Sequence, residues 1–211
     1  MKKFLSKINL ITMALLIAVP TTASAATLES TPIQPQNNYV KISEDQITDN
    51  EIVIAVKANE PIQVELPDGR VDTFTYYVDN SRAGEQKVGV IRTLRLSHLE
   101  LWCKAKWQNR NVTVVGDAKL GFTGTNSEIT EDDTYVEVRT SSSQNPYAII
   151  RTEGVLGTNI IKDYYEFVDS FDFEMWLDPA DSTQGFLHIN IWNEDSHMIF
   201  LTYLPICDTI L

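Results

Sequence analysis

Asp172, Glu174 and Trp176 alternate along one stretch of this chain, and His188, Asn190 and Trp192 alternate along a second. Residues two apart share a face of a β-strand, so each trio would point the same way. The odd positions between them, Phe171, Phe173, Met175, Leu177, Leu187, Ile189 and Ile191, are apolar and supply the opposite, buried face. If Leu177 opposes Leu187, then Trp176 lies across from His188, Glu174 from Asn190, and Asp172 from Trp192. Two indole rings among carboxylate, amide and imidazole groups suit a sugar: the rings stack on the C–H faces of a pyranose and the polar groups take its hydroxyls. The plainer alternative puts both Trp residues under a loop or at the rim of the fold, with their N–H groups satisfied. Glu174 and Asp172 also make a candidate glycosidase carboxylate pair. Side chains roughly 7 Å apart along one strand do not select a stereochemical course.

Other chemistry is sparse. Cys103 and Cys207 are the two cysteines. A bridge between them would close a loop of about a hundred residues, worth roughly 4–5 kcal/mol in the chain-entropy account; the alternative is two buried thiols. Residues 178–185 offer oxygens to a hard cation but lack EF-hand spacing, and read as a Pro/Asp/Ser/Gly turn. The acids at 131–133 read as a solvated charge run. His98, His188 and His197 show no metal-ligand spacing. The chain has no Gly-x-Ser-x-Gly elbow, no His-Glu-x-x-His and no Gly-rich phosphate loop, so no cofactor is expected. Asn111-Val112-Thr113 has the form of a glycosylation sequon.

The elements that must position these residues are strands. From Tyr39 almost to the end, apolar residues recur with period two between turn signals, in runs rich in Val, Ile, Thr, Tyr, Phe and Trp. The expected runs are 51–57, 62–66, 71–78, 88–96, 99–107, 112–122, 134–140, 146–152, 160–168, 171–177, 186–192 and 198–204. One short helix is expected over 43–50, capped by Ser43. Leu66-Pro67-Asp68-Gly69-Arg70 is a hairpin turn. A two-residue turn at Asn109-Arg110 would pair Trp107 with Val112, Ala105 with Val114, Cys103 with Gly116, Leu101 with Ala118 and Leu99 with Leu120. All ten are small or apolar, and Trp102 and Lys104 then face away from the core. The expectation is an all-β, antiparallel two-sheet β-sandwich of about 12 strands, jelly-roll-like or Greek-key. It would occupy residues 39–211 after a flexible lead over 26–38. The polar stretch 123–133 is the alternative place to divide two small sheets.

The N-terminus sets the compartment. Lys2, Lys3 and Lys7 precede an apolar run, and Ala23-Ser24-Ala25 ends it, the pattern of a secretory signal peptide over residues 1–25. The run is too short and too interrupted to span a bilayer, and no stable membrane anchor is expected after it. Three of the 17 basic residues and none of the 29 acids fall in that segment, which leaves the remaining chain at −15. So acidic a surface repels nucleic acid phosphates. These features predict a secreted, soluble, bacterial extracellular protein, a non-enzymatic binding module for a glycan or surface-protein ligand. The alternatives are a secreted glycan-acting hydrolase using Glu174 and Asp172, and a secreted effector or membrane-active protein.

Overall fold

A computed structural model describes residues 31–47, 50–80, 84–94, 97–159, 165–191, 194 and 196–200. The expected signal peptide, Trp192 and Cys207 lie outside the described residues.

Among the described residues the chain is nearly all β. Its strands are β1 (Tyr39–Lys41), β2 (Glu51–Lys57), β3 (Ile62–Glu65), β4 (Val71–Asn80), β5 (Gln86–Leu94), β6 (Ser97–Gln108), β7 (Asn111–Gly124), β8 (Ser127–Val138), β9 (Ala148–Asn159), β10 (Tyr165–Leu177), β11 (Gln184–Asn190) and β12 (Ser196–Phe200). They form two sheets, β1-β3-β4-β5-β6-β7 and β2-β11-β10-β9-β8, with β12 pairing β10 alongside the second path. The arrangement is consistent with a β-sandwich. Within each sheet the consecutive strands form meanders, where jelly-roll or Greek-key crossings were the expectation. Short turns keep successive strands adjacent.

Period-two patterning explains the core. Phe74, Tyr76, Val88, Val90, Leu99, Leu101, Cys103 and Ala105 of the first sheet bury one face. Phe171, Phe173, Met175, Leu177, Leu187 and Ile189 of the second do the same. The faces meet in a single apolar cluster, with Phe74 and Phe173 edge to face at 6.0 Å.

The β6–β7 hairpin turns at Asn109 and Arg110, whose φ angles of 54° and 60° make the left-handed pair that matches strand twist. Trp107 pairs with Val112 and Ala105 with Val114, as the turn dictates. The expected register then fails. A bulge between Trp102 and Lys104 brings Leu101 opposite Leu120, Leu99 opposite Phe122 and Trp102 opposite Lys119. Two extra residues on β7 are absorbed there, and Gly116 takes φ 79°. Because the slip is even, the alternation survives: Cys103 is buried while Lys104 is exposed.

Other expectations shift too. The polar stretch 123–133 is the end of β7, a crossing at Thr125 and Asn126, and the first half of β8. The break expected at 169–170 is absent, since β10 runs through it. In place of the helix over 43–50, the described residues hold one 3₁₀ turn, Glu44–Gln46. The Gln46 side chain accepts the Ser43 N–H at 3.1 Å. The lead is ordered from its bridge at Ile33, which accepts from Ala55 N–H and donates to Val53 O along the edge of β2. β1 then pairs with β3. Both contacts are parallel, departures from a wholly antiparallel fold. The strap satisfies backbone groups that two sheet edges would otherwise expose.

Candidate functional site

The sequence trios fall on the outer face of the second sheet, but not in the expected register. Leu177 opposes Gly185, which puts Trp176 opposite Phe186 and Glu174 opposite His188. The turn between β10 and β11 is thus two residues tighter than Leu177 opposite Leu187 would require. Gly185 permits this, because a Cβ there would strike Met175 and the Trp176 carbonyl. Asp172 meets Asn190, whose amide donates to Asp172 Oδ2 at 3.1 Å. The slip is again even, so all five described residues of the trios keep their face.

Three cross-strand rows result. The middle one runs Val53, His188, Glu174, Arg151, Tyr135 across all five strands. On one side lie Ala55, Phe186, Trp176, Ile149 and Val138. On the other, Asn190 pairs with Glu51, and Asp172 with Glu153, which pairs with Asp133. The face therefore passes from apolar to acidic over two rows, with Glu174, His188 and Arg151 at the boundary.

The polar groups there are held by neighbours, apart from Arg151 Nε, which has no hydrogen-bond partner among the described residues. Trp176 donates its indole N–H to Glu174 Oε2 at 2.6 Å and stacks on His188 with centroids 4.9 Å apart. Tyr147 packs against the same indole at 5.5 Å. Arg151 donates to Asp172 Oδ2 at 2.7 Å, Glu153 Oε2 at 3.2 Å and Glu174 Oε1 at 3.4 Å. His188 Nε2 lies 3.5 Å from Glu51 and Nδ1 lies 3.8 Å from Glu174. Burial pushes the Glu174 carboxyl up to about 7, partly offset by the Trp176 N–H, with Glu137 and Glu51 adding to the rise. Burial holds His188 down at about 4, helped by Arg151.

Trp176 is only 6 % exposed, so it does not offer the stacking face that a bound pyranose needs. The exposed rim is Tyr135, Glu153 and Glu51. A cavity of about 250 Å³ opens elsewhere, beneath the strap, between Gln34, Asn38, Lys57, Glu60 and Gln184.

In the 178–185 turn, Asp178 accepts from the Ala180 N–H, and Asp181 accepts from Thr183 and Gln184. Those bonds hold the Asp181 carboxyl below its ordinary value. No group of three or more metal-ligating side chains occurs among the described residues. His98 takes a contact with Thr93 at 2.9 Å. Cys103 is a buried free thiol.

Arg151, Tyr147 and Tyr135 escaped sequence reasoning, because nothing in an alternating run names its cross-strand partners. A buried charge network escaped it as well. Arg92 and Asp72 occupy core-facing positions, and Arg92 donates to Asp72 Oδ2 at 2.6 Å and to Glu194 Oε1 at 2.7 Å. Its guanidinium lies over Phe74 and Phe173, at 5.1 and 5.5 Å. Arg70 joins Asp169 at 3.1 Å and Glu194 at 2.8 Å. The visible signal was a charge standing at an apolar position in each alternating strand. No family model, curated protein or solved structure matches this chain.

Proposed function

We propose that this chain is an exported, non-enzymatic binding module that holds an extracellular ligand, a glycan or a surface protein, on the outer face of its second sheet. The observation that carries this reading is the five-strand row from Val53 to Tyr135. Its charged members are locked by neighbours before any ligand arrives, so little side-chain entropy is lost on binding. A ligand on this face meets the rim, Tyr135, Glu153, Glu51 and the edge of Arg151, rather than the Trp176 ring. A glycan would be held there by its hydroxyls. Export rests on the N-terminal signal pattern, and the −15 charge keeps the released chain soluble. The test is a glycan array and a capture experiment with residues 26–211, alongside Tyr135→Ala and Glu153→Ala. Lost binding with an unchanged melting temperature supports the reading. Binding indifferent to both substitutions removes this face as the site.

One observation favours a second reading, a glycan hydrolase. Glu174 is raised to about 7 by burial, while Asp172 two residues away is held by Arg151 and Asn190. Two carboxyls in unlike environments divide acid and anionic roles in such enzymes. Activity on a polysaccharide that vanishes in Glu174→Gln supports it, and activity that survives the change removes Glu174 from it.

A further inference from the structure

The outer face of the first sheet carries a different chemistry from the second. Trp102 stands in a row with Tyr77, Gly89 and Lys119 across β4 to β7. The adjoining row is Asp79, Lys87, Lys104 and Val115. Lys87 Nζ lies over the Trp102 ring at 4.5 Å and Lys119 Nζ at 5.2 Å. Gly89 is required between the rings, because a Cβ there would strike the Leu101 carbonyl and the Trp102 Cβ. Two of the local lysines are neutralised: Lys87 by Glu100 at 2.7 Å and Lys106 by Glu85 at 3.0 Å. Lys104 and Lys119 are exposed and make no ion pair among the described residues. In a chain with 29 acids against 17 bases, two exposed lysines beside a half-buried indole stand apart, although Lys104 lies near enough to Glu85 to help Lys106 lower its carboxyl. Screening confines the field of distant acids to about 8 Å at physiological salt, so a ligand at this face senses chiefly the local charges, Lys104 and Lys119 against the exposed Asp79.

We propose that this face binds an acidic polysaccharide, with Lys119 moving off the Trp102 ring to join Lys104 on its carboxylates and the ring taking the apolar side of a sugar. Charge complementarity selects an anionic occupant, and the ring selects one with a flat apolar face. Duplex nucleic acid has such faces only inside its stack, and places a charge about every 1.7 Å, a density that the surrounding acids oppose. A polyuronate carries one carboxylate per ring and suits two well-spaced cations. The strands of Tyr77 and Trp102 lie two apart, roughly 9.5 Å across the sheet, so the aromatic row supports more than one ring of a chain. This surface is separate from the row on the second sheet and does not depend on it.

The test is binding of the purified full chain to immobilised polygalacturonate, with dextran, inorganic polyphosphate, duplex DNA and anionic vesicles in parallel. Polygalacturonate alone is expected to retain the protein, with affinity falling as salt rises. Trp102→Ala and the double variant Lys104→Gln/Lys119→Gln should each weaken it by at least about tenfold. Tyr135→Ala should leave it unchanged, which separates this face from the other. The lysine pair is exposed, so that variant folds and keeps the test decisive even where Trp102→Ala does not. No retention, retention indifferent to the lysine pair, or equal retention by polyphosphate, DNA or vesicles overturns the proposal.

Discussion

Trp176 lies almost parallel to His188, with their ring planes 18° apart, and gives its indole N–H to the carboxylate of Glu174. Glu174 pairs directly with His188 across β10 and β11. One indole thus organises an acid and a base that face each other on neighbouring strands. Replacing it should be expensive. Trp176→Ala is expected to cost about 3–5 kcal/mol in chemical denaturation, as for other buried large rings. Trp176→Phe keeps a ring but strands the carboxylate, and should cost about 1–3 kcal/mol. Equal stability of the two variants would show that the N–H contributes nothing.

The same pair makes stability depend on pH in two opposing ways. Glu174 rises from 4.5 to about 7 on folding, so its contribution is full below 4.5 and is lost as pH climbs to 7. His188 falls from 6.5 to about 4, so its contribution is present above 6.5 and is lost as pH drops to 4. Between 4.5 and 6.5 the fold keeps the proton on Glu174, whereas the unfolded chain keeps it on His188. The two slopes therefore oppose each other in that window. Glu174→Gln should leave the His188 slope alone, so that stability rises with pH from 4 to 6.5. Denaturation midpoints across that range decide it, and parallel curves for both proteins would refute the assignment.

Arg92 is fully buried and serves both Asp72 and Glu194. Removing it leaves Asp72 and Glu194 with Arg70 as their remaining cation and takes away the closest charge on each, so Arg92→Ala should destabilise by about 3–5 kcal/mol. Arg92→Lys should recover little, because one ammonium does not reproduce the fork that reaches both acids. Thermal melts of the two variants check this, and full stability in Arg92→Lys would contradict it.

Arg110 holds φ at 60° in the β6–β7 turn, a conformation that costs a side-chain-bearing residue about 1–2 kcal/mol. Arg110→Gly creates the Asn-Gly pair that such turns favour. It should raise stability by up to about 1 kcal/mol, since glycine returns part of the gain as unfolded-state entropy. A lower melting temperature would mean that Arg110 makes a contact worth more than the strain.

Cys103 bears on how the core is protected. Its thiol is fully buried, and burial pushes it up to about 12. A native sample should therefore leave Cys103 unlabelled by a thiol reagent until it unfolds. Fast labelling at neutral pH would mean that the β6 face is wrongly assigned.

How much was legible in advance follows from parity. Alternation along 171–177 and 99–107 determined which side chains face the core, and the turn at Asn109 and Arg110 determined which strands pair. Asp172, Glu174, Trp176, His188 and Asn190 were correctly placed on one outer face for that reason. What alternation leaves open is the partner. A slip of two residues moves every cross-strand neighbour and changes no residue's face, so Glu174 opposite Asn190 and Glu174 opposite His188 read identically in the sequence. The choice was made by Gly185 admitting a close approach and by the Gly116 bulge, both of which depend on three-dimensional fit. Arg151 entered the cluster from β9, and Arg92 found Glu194 across the core. Those contacts join residues far apart in the chain: pairing of β9 with β10 brings Arg151 within hydrogen-bond range, and the packing of the two sheets brings Arg92 to Glu194.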